Sequence, residues 1–299
     1  VTAGATEALA GALLGMLDAG DEVVVFEPMY DSYQACIALA GARAVPVLLA
    51  PGDDGRYVFD PDELVAAVSP RTTMILLNTP HNPTGTVFTR DELDAIAQVA
   101  IEHDLIVVTD EVYEHLLFDG RTHIPMATLA DMAERTLTIS SGGKTFHTTG
   151  WKIGWMSGPE PLVTAAKTAK QFLTYVNGAP FQPAMAVGLG LPDAYFEDLA
   201  ATLQTARDHL VAGLSEAGFI AYEPEATYFT TVDIRPHAAD GDGMAFCRSL
   251  PERCGVVAVP NEVFYARPEH GRHLVRFACC KRIEVIDQAV ERLVAGFSS

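Results

Sequence analysis

The first two-thirds of the chain alternates short apolar runs, rich in β-branched residues, with stretches whose apolar positions recur at helical spacing. The apolar runs predict strands at Glu22–Phe26, Ala44–Leu48, Thr73–Leu77, Leu105–Thr109 and Thr136–Ile139. The helical spacing predicts helices at Thr6–Leu17, Ser32–Leu39, Pro61–Val68, Thr89–His103 and Glu160–Tyr175. At Thr89-Arg90-Asp91-Glu92 a capping box is expected, because the threonine hydroxyl and the glutamate carboxylate can satisfy each other's backbone amides. Beyond about Gly190 the rhythm changes to a long helix, Asp193–Ala217, then strands Tyr228–Ile234, Val256–Val259 and Leu274–Phe277, and a closing helix Ile283–Ala295. The pattern predicts an α/β fold: a mostly parallel central sheet flanked by helices in a large domain, 1–190, and a smaller α+β domain, 191–299. No repeat or low-complexity tract interrupts it.

Composition adds exclusions. With 299 residues and 49% hydrophobic content the chain can bury a large core. A formal charge of −19 disfavours nucleic acid or an anionic membrane as partner, since phosphate would be repelled. Five cysteines, an odd number without a CxxC pair, point to reduced thiols rather than disulfides, and no metal is expected. No apolar run reaches membrane-spanning length and no secretory layout opens the chain, so a cytoplasmic location is expected.

The candidate chemistry centres on Ser140-Ser141-Gly142-Gly143-Lys144, followed eight positions later by Lys152. Alone, such a glycine loop ordinarily carries a solvated lysine. Lysine is also the side chain that forms a carbon–nitrogen double bond with pyridoxal 5'-phosphate, and Ser141 and Lys152 are donors suited to its phosphate. Upstream, Ile106-Val107-Val108-Thr109-Asp110-Glu111-Val112-Tyr113 reads as a buried strand delivering an acid and a phenol at its carboxyl end, where α/β sheets bind ligands. Asp110 is the candidate to face the pyridine nitrogen and keep it protonated. Gly4-Ala5-Thr6 precedes a helix, whose free amides and dipole suit a phosphate, although a plain helix start with Thr6 as cap fits the same residues.

Six segments in order resemble the class I/II aminotransferases of fold type I: Val1-Thr2-Ala3-Gly4-Ala5-Thr6-Glu7, Glu27-Pro28-Met29-Tyr30-Asp31-Ser32-Tyr33, Asn78-Thr79-Pro80-His81-Asn82-Pro83-Thr84-Gly85, Asp110-Glu111-Val112-Tyr113, the Lys144 run and Val275-Arg276-Phe277. That group includes kynurenine, methionine and N-succinyldiaminopimelate aminotransferases. The runs Ala169–Pro183 and His273–Phe277 are most similar to the actinobacterial N-succinyldiaminopimelate enzymes. The resemblance implies pyridoxal phosphate as cofactor, amino acids and 2-oxo acids as substrates, and a homodimer with shared sites. It implies that Lys144 holds the cofactor and then moves the proton, that Tyr30 stacks on the ring, and that Asn82 and Tyr113 contact its phenolic oxygen. Arg276 is implied to grip the substrate α-carboxylate. Asn82 is also expected at the substrate, and Tyr175, Asn177 and Gly178 across a dimer interface. Tyr228 and Phe264 are further candidates to line the site, for which core packing is the expected role. By the same resemblance an amino-terminal segment is expected upstream of Val1. Alternative outcomes on this scaffold are kynurenine, methionine or glutamine transamination, β-elimination from cysteine conjugates, or a sensor domain of a transcription regulator.

Overall fold

The alternating pattern folds into a helix-flanked sheet in the computed structural model, which describes residues 1–297. In chain order, α1 (Gly4–Met16), β1 (Glu22–Glu27), α2 (Asp31–Leu39) and β2 (Arg43–Leu48) lead to a small ribbon of β3 (Ala50–Pro51) and β4 (Tyr57–Val58). Then come α3 (Pro61–Ala66), β5 (Thr72–Asn78), α4 (Arg90–Glu102), β6 (Ile106–Asp110), β7 (Thr136–Ser141), the short α5 (Gly142–Thr145), β8 (Gly154–Ser157), α6 (Glu160–Leu173) and α7 (Phe181–Leu189). Six strands form one sheet in the order β2-β1-β5-β6-β7-β8, parallel except for β8 at one edge.

Successive strand side chains point to opposite faces, and here both faces are covered, which is why the strands read as continuous apolar runs. Val24, Phe26, Ile75, Leu77 and Val107 pack with Leu93, Ile96 and Ala100 of α4. Val23, Val25, Met74, Leu76 and Val108 pack on the other face with Leu9, Ala12 and Leu13 of α1. Each fully buried side chain of this size contributes about 1.5–3 kcal/mol. The capping box forms at α4, with Glu92 Oε2 accepting from the Thr89 amide at 2.7 Å and Thr89 Oγ1 accepting from the Glu92 amide at 3.3 Å.

The remaining elements are α8 (Asp193–Glu216), β9 (Ile220–Tyr222), β10 (Phe229–Asp233), α9 (Gly243–Cys254), β11 (Val259–Pro260), β12 (Leu274–Ala278) and α10 (Ile283–Phe297). They form an antiparallel sheet, β11-β12-β10-β9, with its own core around Leu214, Val232, Phe246, Val275 and Leu293. Backbone hydrogen bonds fasten it to the large sheet: Phe118 and Thr227 amides donate to Glu225 and Leu116 carbonyls at 2.9 Å each, and the Met29 amide donates to Phe264 at 2.6 Å.

Several elements depart from the expected ones. Helix α6 ends at Leu173, because Thr174 leaves helical geometry and Tyr175 adopts φ +62°. The strand expected at Val256–Val259 reduces to Val259–Pro260, since Gly255 caps α9 in the left-handed region and Pro260 has no amide to extend the ladder. Helices α7 and α9 escape the sequence pattern, as Pro183 and Gly188, and Gly243 and Pro251, are residues ordinarily read as breaks. Strand β8 is too short to show a period.

The functional consequence lies at the carboxyl ends of the parallel strands. Asn78 of β5 and Asp110 of β6 are register partners, and β7 ends beside them at Ser141. The chain first builds from β1 toward β2, then reverses to build β5 through β8 on the other side of β1. Such a reversal opens a crevice between the loops of β1 and β5, the usual ligand position in this architecture.

Candidate active site

One cavity occupies that crevice and gathers residues from distant parts of the chain: Gly4, Ala5 and Thr6, Tyr30 and Tyr33, Asn78 and Asn82, Asp110 and Tyr113, and Ser141, Lys144 and Lys152. Every residue that the sequence marked as cofactor-binding lines it. Arg276 reaches it through Asn82.

Asp110 closes β6 and is 4% exposed. Tyr33 Oη donates to its Oδ2 at 2.7 Å, and the Val112 amide approaches Oδ1 at 3.4 Å. Burial raises its carboxyl from the usual 3.8 to about 6, outweighing the two hydrogen bonds and the positive charge of Lys144, all of which favour ionisation. At neutral pH a buried carboxylate therefore stands ready for a cationic partner.

Lys144 sits on α5, the single turn that follows β7. Its Nζ donates to Tyr228 Oη at 2.9 Å and lies 5.6 Å from the ring centroids of both Tyr113 and Tyr228. A Cβ at Gly142 would run into the Met185 sulfur, so glycine here leaves room for the Met185 side chain of α7. Tyr113 is almost completely buried, and burial, the nearby Tyr228 and Asp110 hold its phenol well above its ordinary pKa and therefore protonated.

The far end of the cavity is built for an anion. Helix α1 begins at Gly4, with no side-chain cap from Ala3, and so presents first-turn amides and the positive end of its dipole. Lys152, held at φ 53° and ψ 51°, brings its amine alongside Gly4. Among the described residues neither Lys144 nor Lys152 is ion-paired with a carboxylate. The turn is braced by Gly154, whose amide and carbonyl pair with Thr2 at 2.9 and 2.8 Å. A methyl group at Gly154 would stand 2.5 Å from the Gly4 carbonyl carbon and 2.8 Å from the Ala5 nitrogen.

Arg276 lies at the centre of β12, opposite Thr231 and Val259. Its guanidinium carbon is 3.9 Å from the Phe229 centroid and 4.6 Å from that of Phe264, and Nη1 donates to Asn82 Oδ1 at 2.9 Å. Burial lowers its pKa from the ordinary value, and no described carboxylate pairs with it. A cation taken from water without an anionic partner is costly, so this fork can accept a carboxylate from outside the chain. The Asn82 amide nitrogen is Asn78-ordered: Asn78 Oδ1 accepts from the Asn82 backbone amide at 2.8 Å, and Asn78 Nδ2 donates to the Asp110 carbonyl at 2.7 Å.

Sequence reasoning missed Tyr33, Asn78 and Phe229. Tyr33 sits one helical turn after Tyr30 in the same quoted run, a spacing that signals a shared face. Tyr228 and Phe264 pack in hydrophobic clusters, as expected, and also touch Lys144 and Arg276. Tyr175, Asn177 and Gly178, expected across a dimer interface, lie outside this chain's own cavity: Asn177 Nδ2 donates to the Thr2 carbonyl at 2.7 Å, and Tyr175 is exposed. Tyr175 belongs to an exposed apolar stretch with Phe172 and Val176. Away from the cavity, Glu111, Glu114 and His123 cluster, with His123 Nε2 and Glu111 Oε2 2.8 Å apart.

A reactive amine, a buried acid and an anion cradle, set at the switch point of a mostly parallel sheet with a small antiparallel sheet beside it, define a fold-type I transferase. Residues 1–293 match the family model "Aminotransferase class I and II", and the chain belongs to that family: it is an aminotransferase. It is 49% identical to a protein of Mycobacterium tuberculosis (strain ATCC 25618 / H37Rv) named "Probable N-succinyldiaminopimelate aminotransferase DapC", over 98% of this chain and 75% of that one. Kynurenine--oxoglutarate transaminase 1 of Homo sapiens is 36% identical, over 97% and 75%. The solved structure of N-succinyldiaminopimelate aminotransferase from Mycobacterium tuberculosis superposes with a TM-score of 0.95 at 48% identity, covering 99% of this chain and 76% of that one. YbdL of Escherichia coli, reported with a methionine aminotransferase function, superposes at 0.92 and 36% identity, covering 98% and 76%.

Proposed function

We propose that the chain uses pyridoxal 5'-phosphate to transfer an amino group from N-succinyl-LL-2,6-diaminopimelate to 2-oxoglutarate. The observation that carries the cofactor reading is the placement of Lys144 and Asp110 in one cavity whose other end offers helix amides and the unpaired Lys152. These donors fit the group: an amine for its aldehyde, an acid for its ring nitrogen, and cationic and amide donors for its phosphate. When bound, the cofactor supplies an aldehyde that takes up amines and a ring that accepts the electrons of the broken Cα–H bond.

The chain's own residues then divide the work. Gly4, Ala5, Thr6, Ser141 and Lys152 hold the phosphate, Tyr30 covers the ring, and Asn82 and Tyr113 serve its phenolic oxygen. Asp110 supplies the negative charge opposite the ring nitrogen, oriented by Tyr33. Arg276, oriented by Asn82 and clamped between Phe229 and Phe264, binds the α-carboxylate and so aims Cα–H at the amine of Lys144. Lys144 holds the cofactor at rest and moves the proton once its amine is free.

The substrate reading is supported by the relative that is 49% identical and by the similarity in structure. We further propose a large domain of residues 1–190 and a small one of 191–299, reduced cysteines and a cytoplasmic location, and a homodimer. The apolar stretch around Phe172, which is 83% exposed, gives the dimer a surface to bury.

A turnover screen tests the substrate. With 2-oxoglutarate as acceptor, N-succinyldiaminopimelate is expected to give the highest kcat/KM in a panel including kynurenine, methionine and glutamine; faster turnover of any of those overturns the assignment. Two residue predictions accompany it. Arg276→Lys loses the planar fork that pairs both carboxylate oxygens, so kcat/KM for every α-amino acid donor is expected to fall on the order of 100-fold, mostly through KM. Gly154→Ala pushes on the Gly4-Ala5 backbone, so pyridoxal phosphate affinity, read by spectroscopic titration, is expected to fall at least about ten-fold; unchanged affinity would move the phosphate away from this turn.

A further inference from the structure

Building on the aminotransferase site proposed above, we infer that Tyr228 is a positioning residue for Lys144, holding the free amine over the cavity and tying it to the strand pair that carries Arg276. The contact is direct: Lys144 Nζ lies 2.9 Å from Tyr228 Oη, and that phenol is the amine's one hydrogen-bond partner among the described residues. The reaction requires Lys144 to be alternately bound and free. A free lysine has four rotatable bonds to immobilise, and without a partner its amine spends much of its time elsewhere. A phenol suits both protonation states of the amine, accepting from an ammonium N–H and donating to a neutral nitrogen.

Tyr228 is itself fixed from two sides. Its ring packs edge-on against Tyr113, at 5.7 Å and 76°, and tilted against Phe229, at 4.5 Å and 58°. Its carbonyl accepts the Cys279 amide at 2.9 Å, just beyond the end of β12, while Phe229 and Thr231 of β10 register with Ala278 and Arg276. The phenol that holds the amine and the guanidinium that awaits the carboxylate therefore ride on one pair of hydrogen-bonded strands, whereas Lys144 rides on the large sheet. The small sheet sets where the lysine waits relative to where the substrate is gripped.

The test uses the full chain, first free of cofactor. Amine labelling with isotopic acetic anhydride, read by peptide mass spectrometry, compares wild type with Tyr228→Phe, which keeps the ring and its packing. Labelling of Lys144 is expected to rise about five-fold, the scale of one lost hydrogen bond, while the exposed Lys152 and Lys167 stay unchanged. In the loaded enzyme kcat is expected to fall by a similar factor with little change in KM, because Arg276 is untouched. Equal Lys144 labelling in both proteins overturns the inference, and so does a rise shared by all three lysines, which would make Tyr228 a packing residue. Attachment of pyridoxal phosphate to wild-type Lys144 is measured in parallel. Failure there removes the proposed site itself, whereas attachment with unchanged labelling removes only the role of Tyr228.

Discussion

Lys144→Ala is expected to eliminate turnover, by on the order of 10⁴-fold or more, with no change in fold. The amine is asked to do two things that nothing else in the cavity can do, hold the cofactor covalently and carry the proton, and losing a positioned acid–base group alone costs about 10²- to 10⁴-fold. Lys152, the other amine, lies at the anion end beside Gly4 and cannot substitute. Borohydride treatment of the loaded wild-type protein, followed by peptide mapping, should place the cofactor mass on the peptide containing Lys144. The variant should retain none. Retention on another lysine in wild type would disprove the assignment of Lys144.

Asp110→Asn is expected to act in opposite directions on activity and stability. Activity should fall about 10²- to 10³-fold, because the amide cannot oppose the positive charge that makes the ring accept electrons. Stability of the cofactor-free protein should rise at neutral pH. The carboxyl titrates near 3.8 when unfolded and is raised to about 6 when folded, so its ionisation opposes folding: the penalty is absent below about 3.8, grows from there to about 6, and is complete above it. The difference of about two units corresponds to roughly 3 kcal/mol, and Tyr33 can still donate to the asparagine carbonyl oxygen. Urea unfolding of the cofactor-free proteins should show the variant more stable at pH 8, with the advantage vanishing near pH 4. A variant less stable than wild type at pH 8 would mean that Asp110 is structurally paired rather than held in reserve for a ligand.

Not every buried acid behaves this way, and the contrast sharpens the reading. Glu22, 1% exposed, is held down at about 2 by hydrogen bonds from Ser69, Arg43 and Arg71, which outweigh its burial. Its charge is satisfied by the protein. Asp110 and Arg276 are an anion and a cation that form no ion pair with each other or with any other described side chain.

The sequence determined the candidate residues, Lys144 and Asp110 among them, and the end of the sheet at which the structure gathers them. Short segments are legible because local physics fixes them: an apolar run ending in Asp110 has to deliver the acid at the end of a buried strand, and Thr89 and Glu92 cap a helix wherever it packs. The resemblance of six ordered motifs supplied the family, and with it the expected roles of Asn82, Tyr113 and Arg276. What only the tertiary structure decided is the set of contacts between segments far apart in the chain. Tyr33 on Asp110, Tyr228 on Lys144, and Phe229 and Phe264 around Arg276 join residues separated by about a dozen to more than eighty positions. No periodicity encodes such meetings, since an aromatic ring destined for the core and one destined for a reactive amine look alike in sequence until the two sheets are packed against each other.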